Sequence, residues 1–175
     1  GLPLWLDETW TAAIAGQSNW TDFAREAWLD CNPPLYYAVM KLWIAVAGTS
    51  NVALRLPSFA FVILAAALPL LRPVDGLSRE ARLTWAALLF CWWPGLSIAV
   101  DARCYGLLLA ISVGQAMAYI ALLQRPSTRR AFGWTMCAAL AVMTHYYAVP
   151  VVAAQGLLYL PVHRTRAIHT WPALL

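Results

Sequence analysis

Along this chain, long apolar runs alternate with short arginine-bearing stretches, and the spacing of the runs predicts helices. Residues 56–71, 83–100 and 104–123 are almost continuously apolar. Each approaches the roughly 17–25 residues that a helix needs to cross a bilayer. Two shorter runs, 131–143 and 148–162, flank Thr144, His145, Tyr146 and Tyr147. Another apolar segment, 35–48, is short and carries Lys41 and Trp43 in its middle. Residues 1–34 are far more polar, yet Trp20, Phe23, Ala24, Ala27 and Trp28 recur at helical spacing. That periodicity predicts an amphipathic surface helix with Asn19 or Thr21 as its N-cap.

The expected fold class is all-α: a polytopic transmembrane helical bundle with an amphipathic and juxtamembrane helical segment on its outer side. Its regions are an outer, extracytoplasmic loop (1–34), an interfacial helix (35–50) and about five spans (51–175).

The arginines decide which way each run crosses. If 35–48 lies in the interface and the run from residue 56 heads inward, Arg72, Arg79, Arg82, Arg125, Arg129, Arg130, Arg164 and Arg166 all become cytoplasmic. The outer side then holds Asp7, Glu8, Asp22, Glu26, Asp30 and Asp101 against Arg25, Lys41, Arg55 and Arg103. A full crossing by 35–48 would export most of the arginines. That segment is therefore expected at the outer surface, with Tyr36, Tyr37 and Trp43 at headgroup depth and Lys41 snorkelling. By the same reasoning 131–143 and 148–162 form a hairpin turning between Thr144 and Pro150, in a protein-lined or wet cavity rather than in lipid.

Composition supports this frame. Of 175 residues, 62% are hydrophobic and 11% charged, against roughly 45–50% and about 25% in soluble domains. The net charge of +4 sits between apolar runs instead of on one face, which argues against a nucleic-acid surface. Cys31, Cys91, Cys104 and Cys137 have no metal-site spacing. Cys31 and Cys104, both expected outside, allow a disulfide, but free, core-type cysteines are the simpler reading. The sequence starts at Gly1 and stops within an apolar Trp-Pro stretch, so it is expected to be a piece of a longer chain.

Three polar clusters fall on the same, outer side. Asp7 and Glu8 follow Leu4-Trp5-Leu6, where the end of a preceding membrane helix is expected. Carboxylates there act as a general base or simply form a solvated helix end. Asp101 and Arg103 stand at the outer end of the 83–100 run, with Tyr105 opening the next. They either satisfy one another or face a shared cavity, the guanidinium suited to gripping a phosphate. His145 and Tyr146 form the third cluster, which reads as a hydrogen-bonded structural group or as part of a site. Convergence on one side favours a single site.

In order, Leu4-Trp5-Leu6-Asp7-Glu8-Thr9-Trp10-Thr11, Asn32-Pro33-Pro34-Leu35-Tyr36-Tyr37, Leu54-Arg55-Leu56-Pro57-Ser58, Asp101-Ala102-Arg103-Cys104-Tyr105-Gly106 and Thr144-His145-Tyr146-Tyr147 resemble the dolichyl-phosphate-mannose protein mannosyltransferase-like family of GT-C glycosyltransferases. The likeness runs from residue 4 to about residue 160 and rests on five short motifs in sequence order. It implies that Asp7 is the catalytic base with Glu8 beside it, that Asp101 is the second acid, and that Arg103 contacts phosphate. Two positions depart from the family pattern: Asn32 stands where His is common, losing any titrating role, and Asp101 stands where Glu is usual.

The function this implies is inverting transfer of a sugar from a polyprenyl-phosphate donor to a lipid, glycan or protein acceptor at the outer face of the cell membrane. Catalytic residues would be Asp7, Glu8 and Asp101; Arg103, Tyr105, His145, Tyr146, Lys41, Arg55 and Asn32 would bind donor phosphate or substrate. Lys41 and Arg55 have an alternative role as interfacial anchors. No cofactor is required, although a divalent metal held by Asp7 and Asp101 is compatible with the residues. The rival classes are a transporter or flippase, which would place charges nearer the span centres, and a non-catalytic scaffold, which would tolerate loss of Asp7 and Asp101.

Overall fold

The computed structural model describes residues 3–170, so the end of the 51–175 region lies outside the described residues. The described chain is helical, with no strand. The polar leader forms α1 (Leu6–Ala15) and α2 (Trp20–Leu29). Asn19 caps α2 as its side-chain type favours, its Oδ1 accepting the Asp22 N–H at 2.8 Å. Next comes α3 (Leu35–Ala47), which ends at Gly48 with φ 76°, a left-handed stop that glycine adopts at no steric cost.

The centre of the fold is the packing of α4 (Asn51–Leu71) along α7 (Tyr105–Gln124). At 21 and 20 residues these two helices are long and apolar enough to cross a membrane, about 30 Å each at 1.5 Å per residue. α4 starts more than a turn before the apolar run, because Ser50 Oγ accepts the Ala53 N–H at 3.2 Å. Arg55 thereby joins the helix. Gly106 lets the two helices touch: a Cβ there would lie 2.8 Å from Ser58 O and 3.0 Å from Ser58 Cα.

Pro57 sits inside α4 without ending it. A proline has no N–H for the carbonyl four residues back, which here is Ala53. The indole Nε1 of Trp43 donates to that carbonyl at 2.7 Å, so α3 supplies the missing donor. The far end of α4 shows the same compensation. Pro69 O faces Pro73 four residues on, which has no N–H to give, and Arg82 Nη1 donates to it at 3.2 Å.

The expected single run 83–100 is instead two helices, α5 (Arg79–Cys91) and α6 (Trp93–Ala99), separated at Trp92. Pro94 accounts for the break, since its ring would clash with the Phe90 carbonyl of a continuous helix. α8 (Thr128–Thr144) and α9 (Ala148–His163) flank a turn at residues 145–147, within the expected hairpin turn, and α10 (Thr165–Thr170) follows. Gln155 of α9 ties this region together: its Oε1 accepts from Gln115 of α7 and, at 2.9 Å, from Trp134 of α8, while its backbone carbonyl accepts from Tyr119 at 2.7 Å.

α3 departs from its expected headgroup role. Tyr36, Tyr37 and Met40 are buried in the core that joins α1 and α2 to Leu54, Ala102 and Leu107. Lys41 does not snorkel: its Nζ donates to the Gln17 carbonyl and lies 5.2 Å from the Trp20 ring centroid. The polar leader and α3 are thus packed onto α4 and α7 as one piece.

Candidate functional site

Where the leader meets the central helices, a cavity of about 250 Å³ is lined by Trp5, Asp7, Glu8, Asp101, Arg103 and Tyr105. A larger groove of about 490 Å³ between α4 and α5 is lined by apolar side chains and Cys91, so the smaller cavity is the one with acid–base and anion-binding groups.

Asp7 and Glu8 stand in the first turn of α1 rather than at the end of a helix, where the exposed N–H groups favour negative charge. Adjacent in sequence, they point to different surroundings. Glu8 is 1% exposed. Its Oε1 accepts from Arg55 Nε and from the Ala102 N–H, both at 2.8 Å. Its Oε2 accepts from Arg55 Nη2 at 2.6 Å and from the Trp5 N–H at 2.9 Å. These four bonds fill the lone pairs that a carboxylate offers. Burial pushes the Glu8 carboxyl up, but the Arg55 bonds and the Ala102 and Trp5 N–H groups outweigh it and bring the pKa from 4.5 down to about 2.

That corrects two expected roles. Glu8 has no lone pair left for proton transfer; it fastens α1 to α4 and to the segment between α6 and α7. Arg55, expected as a phosphate contact, is bound bidentately to Glu8 and also donates to Pro3 O at 3.1 Å. Pairing is the natural outcome for a mostly buried guanidinium beside a buried carboxylate.

Asp7 is 65% exposed and forms an ion pair with Arg103, Oδ2 to Nη1 2.8 Å. Arg103 also lies 5.6 Å from the Tyr105 ring centroid, and its backbone carbonyl accepts from Ser58 Oγ at 3.2 Å. The segment bearing Asp101 and Arg103 is therefore held from both sides, by Glu8 at Ala102 and by Ser58 at Arg103. Among the described residues the Asp101 carboxylate accepts no hydrogen bond and forms no ion pair. Burial, and then the Glu8 charge, raise its pKa against the pull of Arg55 and Arg103.

His145 is one ring removed from the cavity. Its imidazole centroid is 5.7 Å from that of Tyr105 and 4.4 Å from that of Tyr147. Its Nδ1 accepts the Tyr147 N–H at 3.1 Å, leaving Nε2 to carry the proton of the neutral ring. Burial and the Arg103 charge lower its pKa, favouring that neutral form. It buttresses Tyr105 rather than lining the cavity.

Three expected site residues lie elsewhere. Lys41 is taken by the α1–α2 turn. Asn32 donates its side-chain N–H to Asp30 Oδ2 at 3.2 Å, an oxygen that also accepts from Tyr37 at 2.6 Å. Tyr146 is exposed and does not line the cavity. All four cysteines are free. Asp7 and Asp101, the pair that a divalent cation would use, share the cavity, and among the described residues no cluster of three His, Cys, Asp or Glu forms a metal site.

Trp5 was not singled out from sequence, although an aromatic two residues before an acid pair is the signal that marks it. It lines the cavity together with Tyr105, and aromatic side chains beside acids suit a ring that is apolar on its faces and hydroxylated at its edge. Comparison with protein-family models, with curated proteins and with solved structures gives no match for this chain.

Proposed function

We propose that this chain is the catalytic part of a multi-pass membrane glycosyltransferase, transferring a sugar from a polyprenyl-phosphate donor to an acceptor at the outer face of the membrane. One observation carries the reading: residues from distant parts of the sequence, Asp7 and the segment Asp101 to Tyr105, meet in one cavity that combines a solvent-accessible carboxylate, an unpaired carboxylate and a guanidinium. Of the helices long enough to span, α7 starts at Tyr105 in the cavity lining, and α4 reaches the cavity through Arg55, which is bound to Glu8. With the arginines of the α4–α5 and α7–α8 loops inside, this end lies outside.

In the proposed reaction, Asp7 takes the proton of the acceptor hydroxyl as its oxygen attacks the anomeric carbon. The new carbon–oxygen bond forms while the bond from that carbon to the phosphate oxygen breaks, and the electron pair leaves with the polyprenyl phosphate. Attack opposite the leaving group inverts the anomeric centre. Arg103 holds the departing phosphate, for which a guanidinium is well shaped. A phosphate needs no proton to leave, so one base and one cation suffice. Glu8 and Arg55 do no chemistry; they hold the Asp101–Arg103 segment at the height of Asp7.

The test is transfer of radiolabelled sugar from polyprenyl-phosphate donors by membranes carrying the protein. Transfer that Asp7→Asn abolishes supports the reading, and no transfer across a broad panel of donors and acceptors rejects it.

A further inference from the structure

The contact between Asp7 and Arg103 joins the two groups that the proposed reaction must use separately. Asp7 Oδ2 and Arg103 Nη1 are 2.8 Å apart, with the carboxylate side chain 65% and the guanidinium side chain 21% exposed. While they hold one another, that oxygen is turned to a cation instead of to an acceptor hydroxyl, and the guanidinium is turned to a carboxylate instead of to a phosphate.

We propose that this pair is an exchange contact: the donor's phosphate takes Arg103 from Asp7, and the base is released only once the donor is bound. The inference rests on the glycosyltransferase reading and deepens it by fixing an order, donor before acceptor.

The surroundings suit an exchange made by side chains alone. Arg103 is fixed at its backbone, where its carbonyl accepts from Ser58 Oγ at 3.2 Å and its neighbour Ala102 donates to Glu8 at 2.8 Å. Only the side chain has to swing, and the Tyr105 ring, 5.6 Å from the guanidinium carbon, gives it a face along which to move. An ion pair with one partner this exposed is weak. A phosphate, with more charge and paired oxygens that match the guanidinium fork, competes for it effectively. Glu8 cannot replace Asp7 as Arg103's partner, because Arg55, Ala102 and Trp5 occupy its oxygens. Asp101 lines the same cavity but forms no ion pair among the described residues, so it reports the effect of a cavity charge without the contact.

The experiment is calorimetric titration of the purified full-length protein with a short-chain polyprenyl monophosphate, the leaving group of the reaction, in wild type, Asp7→Asn, Asp101→Asn and Arg103→Gln. Exchange predicts that Asp7→Asn binds the probe more tightly than wild type by about fivefold, the scale of an exposed ion pair. Asp101→Asn, which removes the same charge from the cavity without breaking the pair, should tighten binding by less than Asp7→Asn does, and Arg103→Gln should lose most of the binding. Asp7→Asn that binds no tighter than wild type, or Asp101→Asn that tightens binding as much as Asp7→Asn, overturns the exchange and leaves the donor reading standing. A wild-type protein that does not bind the probe overturns both.

Discussion

Glu8 and Ala102 are 94 residues apart in the chain, and the Ala102 N–H donates to Glu8 Oε1 at 2.8 Å. Through this bond and the bidentate Arg55 pair, one buried carboxylate fixes the relative position of three separate segments. The proposed chemistry falls to its neighbour Asp7, so the adjacent acids divide structure from reaction.

Glu8→Gln should therefore destabilise the fold by about 3 kcal/mol near neutral pH, since it removes the carboxylate from a mostly buried ion pair with Arg55. The Glu8 carboxyl is shifted down from 4.5 to about 2 on folding. A depressed folded pKa contributes stability that is complete above the unfolded value and drains away as pH falls toward the folded one. The difference in unfolding free energy between wild type and Glu8→Gln should hold steady above pH 5 and shrink between about pH 4.5 and 2. Denaturant titration across that range checks both the size and the sign.

Trp43 and Pro57 should be coupled. Trp43→Phe removes the donor that replaces the missing Pro57 N–H at the Ala53 carbonyl, at an expected cost of about 1–3 kcal/mol. Pro57→Ala restores a backbone donor to that carbonyl, so Trp43→Phe should cost less in that background. A double-mutant cycle by thermal unfolding reads the difference.

Gly106→Ala should push α4 and α7 apart, because its Cβ would meet the Ser58 backbone at 2.8 and 3.0 Å and neither atom can rotate away. A loss of about 1–3 kcal/mol is expected. As Ser58 Oγ also holds the Arg103 carbonyl, sugar transfer should fall further than stability alone explains. Gly114→Ala, where nothing lies within 4 Å of the added carbon, is the matched control and should lower neither, since alanine is the better helix former.

Much of the helical layout was legible in the sequence because it depends on local signals. The period of the apolar residues marks α2, Asn19 ahead of Asp22 marks its cap, and the interruption at residues 144–147 marks the turn before α9. The run 83–100 reads as one helix because its apolar residues hide a break that one proline, Pro94, is enough to cause. The packing of Tyr36, Tyr37 and Lys41 is not legible because aromatic and basic residues in a short apolar helix look alike at a membrane surface and at a packed interface. What separates the two is α1 and α2 folding back over α3. Of the three clusters expected to share one site, Asp7 meets Asp101, Arg103 and Tyr105 in one cavity, while His145 and Tyr146 stay out of its lining. The different surroundings of Asp7 and Glu8 are not legible, since Ala102 and Arg55 are far away in the chain and only the tertiary fold delivers their N–H groups to Glu8.

The most direct measurement is sugar transfer from a polyprenyl-phosphate donor by the full-length protein with Asp7→Asn, normalised to folded protein and paired with its melting temperature. The account predicts transfer reduced by about 10²–10⁴-fold, the contribution of a general base, with melting close to wild type because the exposed Asp7–Arg103 pair contributes no more than about 1 kcal/mol. Asp7→Asn that folds normally and transfers sugar at the wild-type rate would contradict it.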